Sequence, residues 1–314
     1  MTTYRLAFTF FIVLTLTAPA GADDCQRAEE LTRQAFDLGE NPDTFAEQKR
    51  LLARALDACP ASANAHNLLG SVLEAEGAYE EALSRYQEAA RLRPDFAAAW
   101  YGVGEIYYAT GRLPLALDAY LRACRTDDDA RARIADLLRD NRYQRADEGE
   151  ILDAESLGLL FDRERRAEMQ ALLDACRTRS GDDFGFRGVV VEAAADFPNI
   201  LFDLGEATLK PPSLRQIEAI GAALRQQPDG VRVIVNGHTD AQPFAAATSA
   251  DENSRLNMAL SEERAAAVAR QLIQLGVAGS RLETRGYGFS QPLIDADTPA
   301  AYAANRRVSL EVSR

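Results

Sequence analysis

The chain opens on a mainly apolar run, Leu6 to Leu16, with Arg5 before it and the small residues Ala18-Pro19-Ala20-Gly21-Ala22 after it. Such a run is too short to span a bilayer, which takes roughly 20 apolar residues. A short positive start, an apolar centre and a small-residue exit are the order of a secretory signal peptide, with cleavage expected after Ala22. Beyond it, apolar positions recur at helical spacing, and the sequence matches itself at a shift of 34 residues. Gly70 aligns with Gly104, Leu73 with Tyr107, Ala82 with Ala116, Tyr86 with Tyr120 and Ala89 with Ala123. Residues 26–60, closed by Pro60 as Pro94 closes the next unit, read as a degenerate first unit with Phe36 where later units carry Gly. Gly77 and Gly111 fall where each helix pair must turn, since glycine accepts φ > 0. Residues 129–142 and 152–178 stay helical in period, the first as a cap on the stack and the second as a further packing helix.

Past Gly188 the period changes. Val189 to Val191, Asn199 to Phe202, Val231 to Val235, Leu282 to Tyr287 and Arg307 to Val312 read as strands. Leu214, Ile217, Ile220 and Leu224 make one helical face, preceded by Ser213 and Gln216 at the spacing of a capping box. A second helix is expected from Ser261, as N-cap with Glu262 and Glu263 in the first turn, to Leu275, with Gly276 as its stop. The order β-α-β-α-β-β predicts an α/β sandwich with its helices against one sheet. Ser180-Gly181-Asp182-Asp183 and Gly185, within Arg177 to Gly188, read as a linker.

Charge divides the chain at the same place. The formal net charge is −13, and residues 23–197 hold 22 basic and 35 acidic side chains against 12 and 13 in residues 198–314. So acidic a chain is a poor partner for nucleic-acid phosphates. Four cysteines stand far apart (Cys25, Cys59, Cys124 and Cys176), with only His66 and His238 besides, and no CxxC or HExxH. No metal site, cofactor or nucleophilic catalytic set is expected from these parts. In an exported protein an even cysteine count favours disulfides, and four cysteines allow three pairings. If the first two helices form an antiparallel pair, Cys25 and Cys59 lie at one end of it. That favours Cys25–Cys59 and leaves Cys124–Cys176, with four buried thiols as the alternative.

His66 or Trp100, Gly70 or Gly104, and then Ala82, Tyr86 and Ala89 or their counterparts, at a period of 34, resemble the tetratricopeptide repeat. The resemblance implies an all-α solenoid with a concave face lined by Asn67, Ser71, Glu74, Tyr101, Glu105 and Tyr108. Such a face recruits a protein, here an unidentified envelope protein. In the second half, Gly237-His238-Thr239-Asp240, then Asn257-x-x-Leu260-Ser261-x-x-Arg264-Ala265, then Gly286-Tyr287-Gly288, then Asn305-Arg306-Arg307-Val308 strongly resemble the OmpA-like (OmpA/MotB) C-terminal domain. The resemblance covers roughly residues 186–314. It divides the chain into a signal peptide (1–22), tetratricopeptide-like repeats with a cap (23–142), a helical segment and linker (143–185) and the OmpA-like domain (186–314).

Members of that family bind peptidoglycan non-covalently through the diaminopimelate of its stem peptide, a zwitterion that offers an ammonium beside a carboxylate. A receptor for it needs one anion and one cation at fixed separation. Asp240, past a strand end, and Arg264, expected in the first turn of the next helix, share the sheet edge where ligands bind. Asp240 can accept from the ammonium, Arg264 can fork onto the carboxylate, and a helix N-terminus would favour that carboxylate. Family resemblance assigns those two roles, sets Thr239 and Asn257 in the same pocket, and adds Phe202, Asp203 and Arg307 at its edges. Asn257 reads equally as a turn residue, Asn305 and Arg307 as structural groups, and His238 as a partial-core residue. The loop from Asp240 to Asn257 is longer than in the compact form of the family, and its Asp240-x-x-Pro243 opening resembles the MotB type. The combined expectation is a periplasmic, non-enzymatic adaptor that binds peptidoglycan and recruits a protein, associated with the cell wall or outer membrane and without a transmembrane anchor in the mature chain. The alternative is a scaffold whose OmpA-like domain no longer holds the wall.

Overall fold

In a computed structural model, residues 21–177, 189–203 and 205–313 are described. The expected signal peptide lies almost entirely outside them, and so does the linker after Arg177. No helix among the described residues is long and apolar enough to cross a membrane.

The N-terminal half is built of helix pairs: α1 (Ala22–Asp37) with α2 (Phe45–Ala58), α3 (Ala63–Ala75) with α4 (Tyr79–Leu92), and α5 (Ala97–Ala109) with α6 (Leu113–Ala123). Glycine decides how closely the second and third pairs pack. A Cβ on Gly70 would stand 2.8 Å from the Tyr86 ring, and one on Gly104 2.4 Å from the Tyr120 ring. Gly77 and Gly111 turn the chain with φ of +78° and +74°. Both disulfides expected from the sequence are present, Cys25–Cys59 and Cys124–Cys176. The first ties α1 to the end of α2; the second ties the end of α6 to a helix past the repeats.

After the short α7 (Asp128–Leu138) come α8 (Ala154–Phe161) and α9 (Arg163–Arg177). The helical stretch expected over 152–178 is therefore two helices. Asp162 separates them, its carboxylate accepting from the N–H groups of Glu164 and Arg165 to start α9.

The C-terminal half is a four-stranded sheet of order β1-β4-β2-β3, with β1 (Ala194–Phe197), β2 (Arg232–Gly237), β3 (Leu282–Gly286) and β4 (Val308–Ser313). β2 and β3 are parallel; β4 runs antiparallel to both of its neighbours. Three helices complete it: α10 (Ser213–Gln226), α11 (Ala250–Gln274) and α12 (Pro299–Asn305). The expected alternation of strands and helices holds, with α12 as an additional element before β4.

Four sequence expectations are corrected here. The first strand is 194–197, not 189–191 or 199–202. At 199–202 side chains serve the backbone instead of a ladder: the Ser213 hydroxyl accepts from Leu201 N–H (2.8 Å) and donates to its carbonyl (3.0 Å). That also removes Ser213 from a capping role, and Gln216 turns away to Leu152, so no capping box forms. Leu214 is exposed, while Ile217, Ile220 and Leu224 are buried as expected. Finally, α11 begins at Ala250 with Ser249 as its N-cap, accepting from Glu252 N–H. Ser261 is interior to that helix.

One buried apolar cluster runs from Leu73 and Tyr86 through Tyr120, Leu157 and Phe161 to Phe197, Ile217 and Val235. Among the polar links across this joint is Gln216, only 1% exposed. Its amide donates to the Leu152 carbonyl (3.0 Å) and its oxygen accepts from Leu152 N–H (3.0 Å) and from the Asn199 amide (2.9 Å). Substitution Gln216→Leu strands both Leu152 groups in an apolar setting and is expected to lower unfolding stability by roughly 2–4 kcal/mol. Gln226→Leu, on the exposed side of the same helix, is expected to stay within about 0.5 kcal/mol. Urea denaturation of the two variants checks both values.

Candidate functional site

Two glycines set the geometry at the end of the sheet. A Cβ on Gly237 would meet the Ser261 carbonyl oxygen at 2.0 Å, and one on Gly286 would meet Glu262 Cγ and Ser261 Oγ at 2.5 Å. α11 therefore lies directly on the backbone of β2 and β3. Ser261 completes the contact by donating to the Met258 carbonyl (2.7 Å) and accepting from Gly288 N–H (2.9 Å). This mid-helix serine is a packing group with both hydrogen-bonding roles used.

Arg264, one turn further on, is 4% exposed. Its Nε donates to the Glu206 carbonyl (3.1 Å), and its guanidinium stands 5.0 Å from the centre of the Phe202 ring. Its two terminal nitrogens have no hydrogen-bond partner among the described residues. Burial above all, and next the neighbouring charge of Arg306, push its pKa down to about 10, while Asp240 opposes them. Because α11 starts at Ala250, Arg264 lies roughly four turns in. The favourable potential of a helix N-terminus expected beside it is therefore not there.

Asp240 follows β2 and is 8% exposed. Its Oδ1 accepts from Gln242 N–H (2.9 Å), and its Oδ2 pairs with Arg306 Nη1 (2.6 Å). A carboxylate offers about four lone-pair sites, so this pairing leaves room for another donor. Thr239 is buried; its N–H donates to the Gly288 carbonyl (2.8 Å) and its hydroxyl has no partner among the described residues. Phe202 forms the floor beneath Arg264, held by an isolated bridge to Leu209. Asp203 is exposed on the same loop, its N–H donating to Thr208.

Two expected site residues are committed elsewhere. Asn257 donates to the Asn253 carbonyl (3.1 Å) and side-chain oxygen (3.2 Å), and that oxygen also holds Phe244 N–H. It thus anchors the loop after Asp240. Arg307 pairs with Asp196 on β1 (2.6 Å) and donates to the Gln291 carbonyl. Sequence reasoning left out Arg306 as a site group. Its signal was the Arg306-Arg307 doublet leading into a strand, where successive side chains take opposite faces.

The expected concave face of the repeats divides likewise. Asn67, Ser71 and Glu74 line an open cleft, whereas Glu105 and Tyr108 are engaged by α7. Arg133 forks onto Glu105 at 2.8 Å, and the Tyr108 hydroxyl donates to Asp136 (3.2 Å). Tyr101 packs its ring 5.8 Å from that of Tyr120.

Residues 201–306 match the OmpA family model, and residues 49–89 and 75–131 match the tetratricopeptide repeat model. Over 137 residues the chain is 35% identical to the probable lipoprotein YiaD of Escherichia coli, covering 43% of this chain and 54% of that protein. It is 34% identical over 110 residues to the peptidoglycan-associated lipoprotein of Pseudomonas aeruginosa, covering 35% and 59%. The chain thus spans little more than half the length of these curated relatives. The periplasmic domain of Helicobacter pylori MotB is similar at 27% identity and a TM-score of 0.34, over 38% of this chain and 74% of that one.

Beside the site, His238 is 2% exposed, bonded through Nε2 to Ser309 (3.2 Å) and stacked on Tyr287 at 5.4 Å. Burial, then Arg307, push its pKa down to about 3. In the unfolded chain histidine titrates near 6.5. Between these values the unfolded state binds the extra proton, so stability falls as the pH drops below about 6.5. From pH 7 to pH 5 the loss from this residue is about 2 kcal/mol. Urea unfolding at both pH values is expected to show that loss in the wild type and a drop smaller by that amount in His238→Gln.

Proposed function

We propose that this chain, in which tetratricopeptide repeats precede an OmpA-family domain, is an exported, non-enzymatic adaptor of the cell envelope. Its C-terminal domain binds peptidoglycan non-covalently, and its repeats recruit a protein. The observation that carries the wall-binding reading is the buried guanidinium of Arg264, whose terminal nitrogens have no partner among the described residues. The rest of the side chain is buried while the tips of the fork still reach solvent, so the fork is fixed in place and open to an acceptor. A carboxylate fits that fork in a bidentate manner. The ammonium of the same ligand then falls to Asp240, whose remaining lone pairs accept it. A diaminopimelate residue carries both groups on one carbon, so it suits an anion and a cation fixed on adjoining elements. The names of the peptidoglycan-associated relatives support the same reading.

A second reading is a scaffold that has lost the wall. It draws on Asp240 being already paired with Arg306 and on the long loop that follows it. Co-sedimentation with diaminopimelate-type sacculi separates the two. The wild type is expected to pellet. Asp240→Asn and Arg264→Lys, checked for folding by circular dichroism, are each expected to lose about tenfold or more in affinity, because an amide lacks the charge and an ammonium lacks the fork. Wild-type protein that stays in the supernatant favours the scaffold.

A further inference from the structure

A cleft of about 860 Å³ opens between the first and second helix pairs, remote in sequence from Asp240 and Arg264. Phe36, Phe45, Leu68 and Phe96 supply its apolar lining, and Glu29, Glu40 and Glu74 its charge. Phe36 is 68% exposed. Its position corresponds to Gly70 and Gly104, which pack against tyrosine rings in the later pairs. In the first pair Leu52 stands where those tyrosines would, buried in its own core, so packing does not account for the Phe36 ring.

The carboxylates of the cleft make no ion pair among the described residues, and a cation at its edge, Arg93, is spent on the Phe96 ring (3.5 Å) and the Asn64 side-chain oxygen (2.8 Å). Arg33 is the one cation among the lining residues, and it is held by Glu30 (2.6 Å) and Asp37 (2.9 Å). Among the described residues Glu29 accepts only from the neutral Ser62 and Asn64, and Glu74 from the Tyr86 hydroxyl. Glu40 makes no ion pair among the described residues. From Asn64 to Ala75, both on the lining, α3 runs about 16 Å at 1.5 Å per residue. That length matches about five residues of extended chain.

We propose that this cleft takes an extended segment of a partner protein in which a bulky apolar side chain stands beside one or more Lys or Arg residues. The inference rests on the reading that the repeats recruit a protein, and it names the chemistry of what they recruit. The apolar side chain covers Phe36, the exposed aromatic anchor, and the cation answers the unpaired carboxylates. An acidic segment, or a second copy of this acidic chain, is disfavoured by the same charges.

The test is selection of a displayed random-peptide library on the purified protein, with the double variant Phe36→Ala/Glu40→Lys as the comparison. Both positions are exposed, so the variant is expected to fold as the wild type does. The enriched pool is expected to be rich in Lys or Arg next to aromatic or leucine residues and poor in Asp and Glu. Peptides synthesised from it are expected to bind the variant about tenfold more weakly, and to bind the wild type more weakly as salt rises from about 50 to about 300 mM. Peptides that bind protein and variant alike would keep recruitment but move it off this cleft, which overturns the inference. An acidic pool overturns it as well. No enrichment at all overturns both the inference and the recruitment reading. Sacculus pelleting of the same variant is expected to match the wild type, so wall binding is judged separately.

Discussion

The candidate site depends on one close approach, that of α11 to the backbones of β2 and β3. Gly237 and Gly286 leave no Cβ there, and Ser261 sits at the contact with its hydroxyl accepting from Gly288 N–H. That approach puts Arg264 one turn past the contact and over the loop that carries Phe202 and Glu206, where the guanidinium is buried yet only its Nε is used. Earlier on the same helix, Asn257 and Asn253 hold the loop after Asp240 through Phe244 N–H. A larger residue at either glycine would lift the helix, and a site that must hold two charges at fixed separation tolerates little of that.

The same logic of backbone served by side chains joins the two halves. α8 lies against α10, and Gln216 takes both hydrogen-bonding groups of Leu152 where no ladder or helix reaches them. Arg112 reaches from the repeats to Asp153 at 2.5 Å, at the start of α8. The later repeats and the OmpA-family domain are therefore joined by packed apolar groups and satisfied polar ones, with α8 between them.

Much of this was legible in sequence because it rests on local chemistry. A period of 34 residues gives the helix pairs, Gly77 and Gly111 mark turns with positive φ, and the placement of Cys25 and Cys59 at paired helix ends anticipates their bond. β2 follows from its apolar run and β4 from apolar residues at alternate positions, whereas β3, Leu-Glu-Thr-Arg-Gly, carries little apolar signal of its own. The failures have a common cause, which is that one short pattern serves two purposes. Ser-x-x-Gln at Ser213 resembles a cap, but both side chains are spent on distant backbone. Ser261 followed by two acids resembles a helix start, whereas the start is the equally readable Ser249-x-x-Glu252. Apolar residues at 199–202 pack as a buried loop, which apolarity alone does not distinguish from a strand. Arg306 and the engagement of Glu105 by Arg133 are tertiary pairings of residues 66 and 28 positions apart, and no local pattern reports them.

The central claim is that the unpaired fork of Arg264 and the carboxylate of Asp240 read the two charges of one amino-acid end. It is tested most directly by nuclear magnetic resonance, following the Arg264 Nε–H signal while a stem peptide ending in meso-diaminopimelate is added, beside the same peptide ending in L-lysine. The account predicts a saturable shift with the first peptide and a far weaker one with the second, which lacks the free amino-acid end. Equal shifts with both peptides, or none with either, would contradict it.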